Sequence, residues 1–339
     1  MLVNNHEKDP VISLDLMGGD SGPAVTVPAA KRALLISKNL NLILTGRERE
    51  CLPMLKKHGL VASSRVEFIP VSNNIESDEN PSHALKHSTG TSMRKAIEQV
   101  ADAKACACVS AGNTGALMAI SRYILHTVPG VDRPALAAFV PNEKKKHSLL
   151  LDLGANVECT AANLVQFALL GCSQFRRSSG VEKPRVALLN IGVEQNKGRE
   201  YIKKANDLLA AMPQLSYAGY IESDSLFSSE ADVIVCDGFT GNIALKSSEG
   251  LVRLILKTAR ERYRGFLALP VLMILKAVMS KLYPDEYNGA RLLGLQGLVI
   301  KSHGSARVKA TTNAIIRAQY EARTGESDQF LELLGKNIF

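Results

Sequence analysis

Six times along this sequence an apolar run ends in a short turn of glycine and small polar residues, and a helix-forming stretch follows. The turns carry Gly18 and Gly19, Gly112 and Gly115, Gly154, Gly192 and Gly198, Gly238 and Gly241, and Gly304. The clearest instance spans residues 231–250, ADVIVCDGFTGNIALKSSEG. Its residues 233–236 are a continuous β-branched-rich run, the pattern of a strand covered on both faces. Residues 237–242 (DGFTGN) then supply two glycines, and an amphipathic helix is predicted to begin near Thr240 to Asn242. Strands alternating with helices predict an α/β fold with a mostly parallel sheet and helices on both faces, a three-layer α/β/α arrangement. In such a sheet the turns that follow the strands gather along the carboxyl edge, where ligands bind.

Strands are predicted over residues 11–16, 42–45, 66–71, 105–110, 135–140, 149–152, 185–191, 215–221, 233–236 and 298–301. Helices are predicted from the 17–23 turn to 37, over 47–58 and 89–103, from 115 to 126, over 161–175, from 198 to 212 and over 306–322. Residues 72–88 read as one long polar loop. The 339 residues are enough for one large α/β domain or two smaller ones.

Composition narrows the function classes. The chain is 46% hydrophobic and 22% charged, ordinary for an enzyme with a sizeable core. Its net charge of +8 is densest at residues 144–146 and 257–264. That favours an acidic partner, an anionic substrate or an anionic membrane surface over a nucleic-acid stripe. Tryptophan is absent and aromatics are sparse, which weakens a base-stacking model. The six cysteines form no CxxC pair and sit mostly in apolar runs, as in a reducing compartment. Residues 1–8 lack an apolar signal core, which argues for a cytosolic location. Neither GxxxxGK[ST] nor GxGxxG occurs, and no zinc pattern is present, so neither a cofactor nor a metal is expected. Asp15, Asp20, Asp152, Glu158 and Asp237 keep open the alternative of a divalent cation at one edge.

The turns themselves suit anions. A strand tip that enters a helix aims unpaired N–H groups and the positive dipole end at one point. At residues 237–242, Asp237 offers an acceptor and Asn242 amide donors, with Thr240 and Gly241 between them; an ordinary turn with a capping Thr is the plain alternative. Residues 110–116 (SAGNTGA) repeat the arrangement with Ser110, Asn113 and Thr114, and an N-capped helix explains that segment equally well. Lys197, in residues 192–198 (GVEQNKG), is more specific, because a cation in such a turn neutralises phosphate or an oxygen gaining charge. Residues 19–23 (GDSGP) resemble the nucleophile region of trypsin-like proteases, but only His6 precedes them, so that reading is rejected. Residues 264–283 are the most apolar segment, too short between charges to span a bilayer. They read as a core helix or as a protruding apolar helical hairpin, and their basic flanks favour the second.

Taken in order, residues 15–23 (DLMGGDSGP), 110–116, 152–158 (DLGANVE), 190–198 (NIGVEQNKG), 237–250 (DGFTGNIALKSSEG) and 302–307 (SHGSAR) closely resemble the PlsX family of acyl-[acyl-carrier-protein]:phosphate acyltransferases. The resemblance implies a single α/β/α acyltransferase domain over residues 11–330, similar to phosphotransacetylase and isocitrate/isopropylmalate dehydrogenase folds. It implies transfer of a fatty acyl group from acyl carrier protein to inorganic phosphate, reversibly, for phospholipid synthesis. The product would pass to a membrane glycerol-3-phosphate acyltransferase. A homodimer peripherally associated with the inner face of the membrane is implied too. The family's catalytic lysine and asparagine fall on Lys197 and Asn242. Substrate or phosphate binding is assigned to Asp15, Gly18, Gly19, Ser110, Asn113, Thr114, Asp237, Thr240, Gly241 and His303. Contact with carrier protein or membrane is assigned to Lys257, Arg260, Arg264, Leu272 and Ile274.

A thioester is already activated, so phosphate can attack it directly if both are held in line. Backbone N–H groups near Thr240 to Asn242, the Asn242 amide and Lys197 are expected to hold the resulting oxyanion. The rival enzyme reading is a phosphotransacetylase-like acyl-CoA:phosphate acyltransferase. A dehydrogenase and a non-catalytic scaffold for the carrier protein are the more distant alternatives.

Overall fold

In a computed structural model the chain is described over residues 9–144, 146–262 and 288–324. It divides into two compact units, Met1–Pro134 with Asn288–Ser327, and Ala135–Tyr287 with Asp328–Phe339.

The first unit holds β1 (Val11–Asp15), β2 (Asn41–Arg47), β3 (Val66–Val71), β4 (Ala107–Ser110), β10 (Ala290–Leu293) and β11 (Leu298–Lys301). Their order across the sheet is β3-β2-β1-β4-β11-β10, parallel throughout except that β10 runs antiparallel to β11. The alternation of a strand sends successive side chains to opposite faces. Ile12 and Leu14, Leu42 and Leu44, Ala107 and Val109, and Leu298 and Ile300 therefore line one face. They share a core there with α1 (Pro23–Ile36), α2 (Glu48–Lys57) and α9 (Val308–Thr324). The hydroxyl of Thr45 points the other way and donates to Ser92 O at 2.9 Å, where α4 (Ser92–Ala101) begins. Helices on both faces make this unit three-layered.

The second unit orders its strands β5-β6-β9-β7-β8: β5 (Ala135–Pro141), β6 (His147–Leu151), β9 (Val233–Val235), β7 (Arg185–Leu189) and β8 (Ser216–Ile221). Only the β5–β6 pair is antiparallel. Its helices are α6 (Ala161–Ser179), α7 (Glu200–Ala210) and α8 (Gly238–Arg262). A capping box between Thr160 and Asn163 starts α6, and Gly180 in the left-handed region (φ 73°) ends it. Gly171 lets α6 lie directly on the sheet: a Cβ there would come within 2.5 Å of Val233 Cγ1.

Predicted elements recur within a few residues of their observed ends, with four differences. Strand β10 is a four-residue antiparallel strand, too short to show a period. Helix α3 (Pro81–Lys86) sits inside the 72–88 stretch read as loop. Its start signals were present, since Asn80 Oδ1 accepts from Ser82 N at 2.9 Å and Pro81 follows. Strand β7 stops at Leu189, which leaves Asn190 and Ile191 in the turn. Helix α8 begins at Gly238, upstream of the expected Thr240 to Asn242, because Asp237 caps it. The apolar segment 264–283 lies outside the described residues. Among the described residues no helix is long and apolar enough to cross a membrane.

Candidate active site

In the second unit, β6, β9 and β7 run parallel and side by side, in register at Leu151 with Val235 and Val235 with Leu188. Their following turns therefore leave the sheet at one edge, from strands about 4.8 Å apart. The turn after β7 carries Lys197, the helix after β9 carries Asn242, and the turn after β6 carries Gly154. Gly154 has φ +116°, and a Cβ on it would lie 3.5 Å from Asn242 Cβ and 3.8 Å from Asn242 Oδ1. Asn242 thus stands directly on the β6 turn.

Each turn is held from below. Asp152 is fully buried, and its carboxylate accepts from Leu136 N (3.0 Å), Ala155 N (3.1 Å), Asn156 N (2.7 Å) and Asn156 Nδ2 (2.8 Å). Burial raises the Asp152 pKa, and those four donors oppose the rise. Asn156 O in turn accepts from Gly238 N at 2.8 Å, which ties the β6 turn to the start of α8. In the β7 turn, Asn190 Nδ2 donates to Gly192 O (3.1 Å) and Lys197 O (3.2 Å). Lys197 N donates to Glu194 O at 3.1 Å. This closes the loop beneath an exposed Lys197 side chain. Among the described residues the Lys197 ammonium has no ion pair and the half-buried Asn242 amide has no hydrogen bond.

The donors expected from the start of α8 are already used. Thr240 N donates to Asp237 Oδ1 and Thr240 Oγ1 to Asp237 Oδ2, both at 2.8 Å, and Gly241 N donates to Asp237 O at 3.0 Å. Tyr201 OH, from the first turn of α7, adds a bond to Asp237 Oδ2 at 2.9 Å. Burial and the Asp237 charge raise the Tyr201 pKa to about 12. Asp237, Thr240 and Gly241, expected at phosphate, are thus engaged with one another in the cap of α8, and a carboxylate there repels a bare anion. Gly241 is needed for packing, since a Cβ would collide with the Asp152 carbonyl and lie 2.7 Å from Cys236 Sγ.

The first unit has a carboxyl edge of its own, after the parallel strands β1, β4 and β11. Asp20 N donates to Gly304 O and Ser302 N to Ser110 O, each at 2.9 Å. Gly18 sits in a tight crossing, where a Cβ would lie 2.6 Å from Gly112 N. Three further residues expected at substrate are engaged internally here. Asp15, only 1% exposed, accepts from Ser110 Oγ (2.7 Å) and Met17 N (3.1 Å), and burial raises its pKa. Ser110 is fully buried as the donor of that bond. Asn113 caps α5 (Thr114–Leu125) by accepting from Ala116 N at 3.0 Å, and its amide donates to Ser77 O and Glu79 O. Gly19, Thr114 and His303 remain half-exposed on this edge. His303 Nδ1 accepts from Ser305 N at 3.2 Å. A residue missed from the sequence is Lys301, buried at the end of β11, whose ammonium donates to Ala111 O (3.3 Å) and Ser302 O. A terminal Lys on an apolar run reads as a surface residue, so nothing in the sequence marked it.

Asp15 and Asp152 are consumed internally, and among the described residues no group of three His, Cys, Asp or Glu could hold a metal ion. Of the contact residues, Lys257 is exposed on α8 and lies 3.9 Å from Glu261. The Arg260 side chain and residues Arg264, Leu272 and Ile274 lie outside the described residues.

Comparison with known proteins matches residues 11–328 to a family described as fatty acid synthesis protein. A phosphate acyltransferase of Pseudomonas savastanoi pv. phaseolicola is 48% identical over 339 residues, covering 97% of this chain and 98% of that one. A second, from Pseudomonas syringae pv. syringae, is 48% identical over 322 residues, covering 93% of each. Among solved structures, a phosphotransacetylase from Streptococcus pyogenes aligns with TM-score 0.61 at 17% identity, over 92% of this chain and 94% of that one. The EutD phosphotransacetylase of Staphylococcus aureus aligns with TM-score 0.60 at 17% identity, over 93% and 94%. A 4-hydroxythreonine-4-phosphate dehydrogenase from Klebsiella pneumoniae aligns with TM-score 0.53 at 13% identity, over 94% and 99%. These structural likenesses show the fold, an α/β architecture shared by phosphotransacetylases and a dehydrogenase.

Proposed function

We propose, from the premise that this chain belongs to the fatty acid synthesis protein (PlsX) family, that it transfers a fatty acyl group from acyl carrier protein to inorganic phosphate. Residues 11–330 are taken as one acyltransferase domain. The observation that carries the site is that two polar groups unspent among the described residues, Lys197 and Asn242, lie on the turn and the helix that follow the neighbouring parallel strands β7 and β9 at one edge.

In the proposed reaction a phosphate oxygen attacks the thioester carbonyl carbon, and the carbonyl oxygen takes up the negative charge. The Lys197 ammonium and the Asn242 amide donate to that oxygen. The tetrahedral centre then collapses, the carbon–sulfur bond breaks and the pantetheine thiolate leaves. A thiol pKa of about 8.5 makes it a tolerable leaving group, so no general acid is required. The buried supports, Asp152 through Asn156 and Asn190 through the Lys197 carbonyl, keep the two groups in place before substrate arrives. Roles for Gly18, Gly19, Thr114 and His303 in substrate binding rest on the family resemblance. So do the homodimer, the downstream membrane glycerol-3-phosphate acyltransferase and peripheral attachment to the inner membrane face. The net charge of +8 supports an acidic carrier and an anionic surface.

The test is to incubate purified protein with phosphate and either long-chain acyl carrier protein or the matching acyl-CoA. Acyl phosphate formed faster from the carrier-bound donor supports the reading. Preferential use of acyl-CoA would transfer the protein to the phosphotransacetylase type of activity, and phosphate-independent thioester loss would exclude both.

A further inference from the structure

The phosphate of the proposed reaction has to be held next to the acyl carbonyl, and the start of α8 cannot hold it. The donors there are spent in the cap, and the Asp237 carboxylate repels an anion. A seat at this edge therefore needs a cation. The turns after β6, β9 and β7 (residues 152–160, 236–237 and 190–199) carry two, Lys197 and Arg199. The segment after β8 (222–232) carries Glu222, Asp224, Glu230 and Asp232 and no Lys or Arg. Lys197 is taken up by the carbonyl oxygen, which leaves Arg199.

Although exposed, Arg199 is fixed at both ends. Its main chain is the N-cap of α7, where its carbonyl accepts from Ile202 N (3.0 Å) and Lys203 N (3.2 Å). The turn before it is pinned as well: Asn190 Nδ2 donates to Lys197 O, and Gly198, at φ +88°, lies so close to Asn190 that a Cβ would collide with Oδ1. The guanidinium donates to the Tyr201 hydroxyl, and that hydroxyl donates to Asp237 Oδ2 at 2.9 Å. Arg199 and Asp237 thus act on one hydroxyl with opposite charge, so the guanidinium offsets the carboxylate that would turn phosphate away. Among the described residues Arg199 makes no ion pair. The rest of its planar N–H fork stays open, and such a fork matches two oxygens of a phosphate.

We propose that Arg199 is a phosphate-binding residue: its guanidinium, held on the Tyr201 hydroxyl, grips the attacking inorganic phosphate beside the turn that carries Lys197. The proposal rests on the acyl-transfer reading above and adds to it which side chain receives the second substrate. Its rival is Lys246, which stands one helical turn beyond Asn242 on α8 and is exposed. No printed bond ties Lys246 to Asp237 or to the β7 turn, whereas Tyr201 ties Arg199 to both.

The test measures KM for inorganic phosphate and KM for one carrier-bound acyl thioester in the wild type, Arg199→Gln and Lys246→Gln. Both side chains are exposed, so both variants are expected to fold, which a thermal unfolding curve checks. Arg199→Gln is expected to raise KM for phosphate about tenfold or more, the loss of a charge-assisted bond, while KM for the thioester stays within about twofold. Lys246→Gln is expected to leave KM for phosphate within about twofold. An unchanged KM for phosphate in Arg199→Gln, an equal rise in both KM values, or a larger rise in Lys246→Gln overturns the proposal while leaving acyl transfer standing. A second readout needs no turnover: added phosphate should raise the unfolding midpoint of the wild type more than that of Arg199→Gln, and equal rises overturn the proposal. A wild type without phosphate-dependent turnover overturns the acyl-transfer reading itself, and the thermal comparison then decides Arg199 by itself.

Discussion

Asn113, Asn156 and Asn190 follow strands in small-residue turns and Asn242 sits in the first turns of α8, yet they do different work. The first three donate their amide hydrogens to neighbouring main chain or to Asp152, and so hold turns in shape. Asn242 spends its amide on nothing among the described residues, and neither does the ammonium of Lys197. Replacing either Lys197 or Asn242 by Ala is therefore expected to leave the unfolding transition in place. Turnover should drop about 10²–10³-fold, the usual loss for one oxyanion donor, measured as phosphate-dependent acyl transfer. Asp15 makes a contrasting prediction. Its native pKa lies above the usual 3.8 because burial disfavours the charge, so the folded chain holds that proton more tightly than the unfolded chain. The stabilisation from protonation is complete below pH 3.8 and is lost as pH rises through the native value. Asp15→Asn keeps the shape and removes the titration. Wild type should thus gain stability relative to the variant as pH falls from 7 to 4, read from urea unfolding at each pH. A gap that stays constant across that range would refute the assignment.

At the scale of elements, the start of α8 decides what the site contains. Asp237 accepts from Thr240 N, Thr240 Oγ1 and Tyr201 OH, so one carboxylate joins the first turns of α7 and α8. Asp237→Ala should cost about 0.5–2 kcal/mol of stability as a lost N-cap, seen in denaturant unfolding. It should also lower turnover, because Asn242 loses its fixed position, whereas Tyr201→Phe, which leaves the cap intact, should have the smaller effect on both. The glycine-marked turns were readable from the sequence because each needs a close approach or a positive φ, as at Gly18 and Gly154. Strand β10 and helix α3 were not, being too short to repeat their periods, although Asn80 and Pro81 marked where α3 starts. Equally illegible was which N–H groups at 237–242 stay free. A cap and an anion site draw on the same residue types, and only atomic positions tell them apart.

At the scale of the molecule, the charge balance makes one prediction. With a formal net charge of +8, association with an acidic carrier protein is favoured electrostatically and screened by salt. Raising ionic strength from low to about 0.15 M should raise KM for carrier-bound acyl thioester. A neutral short thioester should respond far less, and equal responses would remove the electrostatic role. The sequence alone determined the α/β class, the parallel strands and the edge on which polar turns collect, because hydrophobic periodicity and glycine placement are local properties of the chain. Only the tertiary structure decided that Asp15, Ser110, Asn113, Asp237, Thr240 and Gly241 are hydrogen-bonded within the protein while the Lys197 ammonium and the Asn242 amide, among the described residues, are not. Some of these bonds close between residues far apart in the chain, as Ser110 to Asp15, and the local ones at residues 237–241 use the same residue types as an anion site, so no sequence pattern records whether a donor has already found its acceptor.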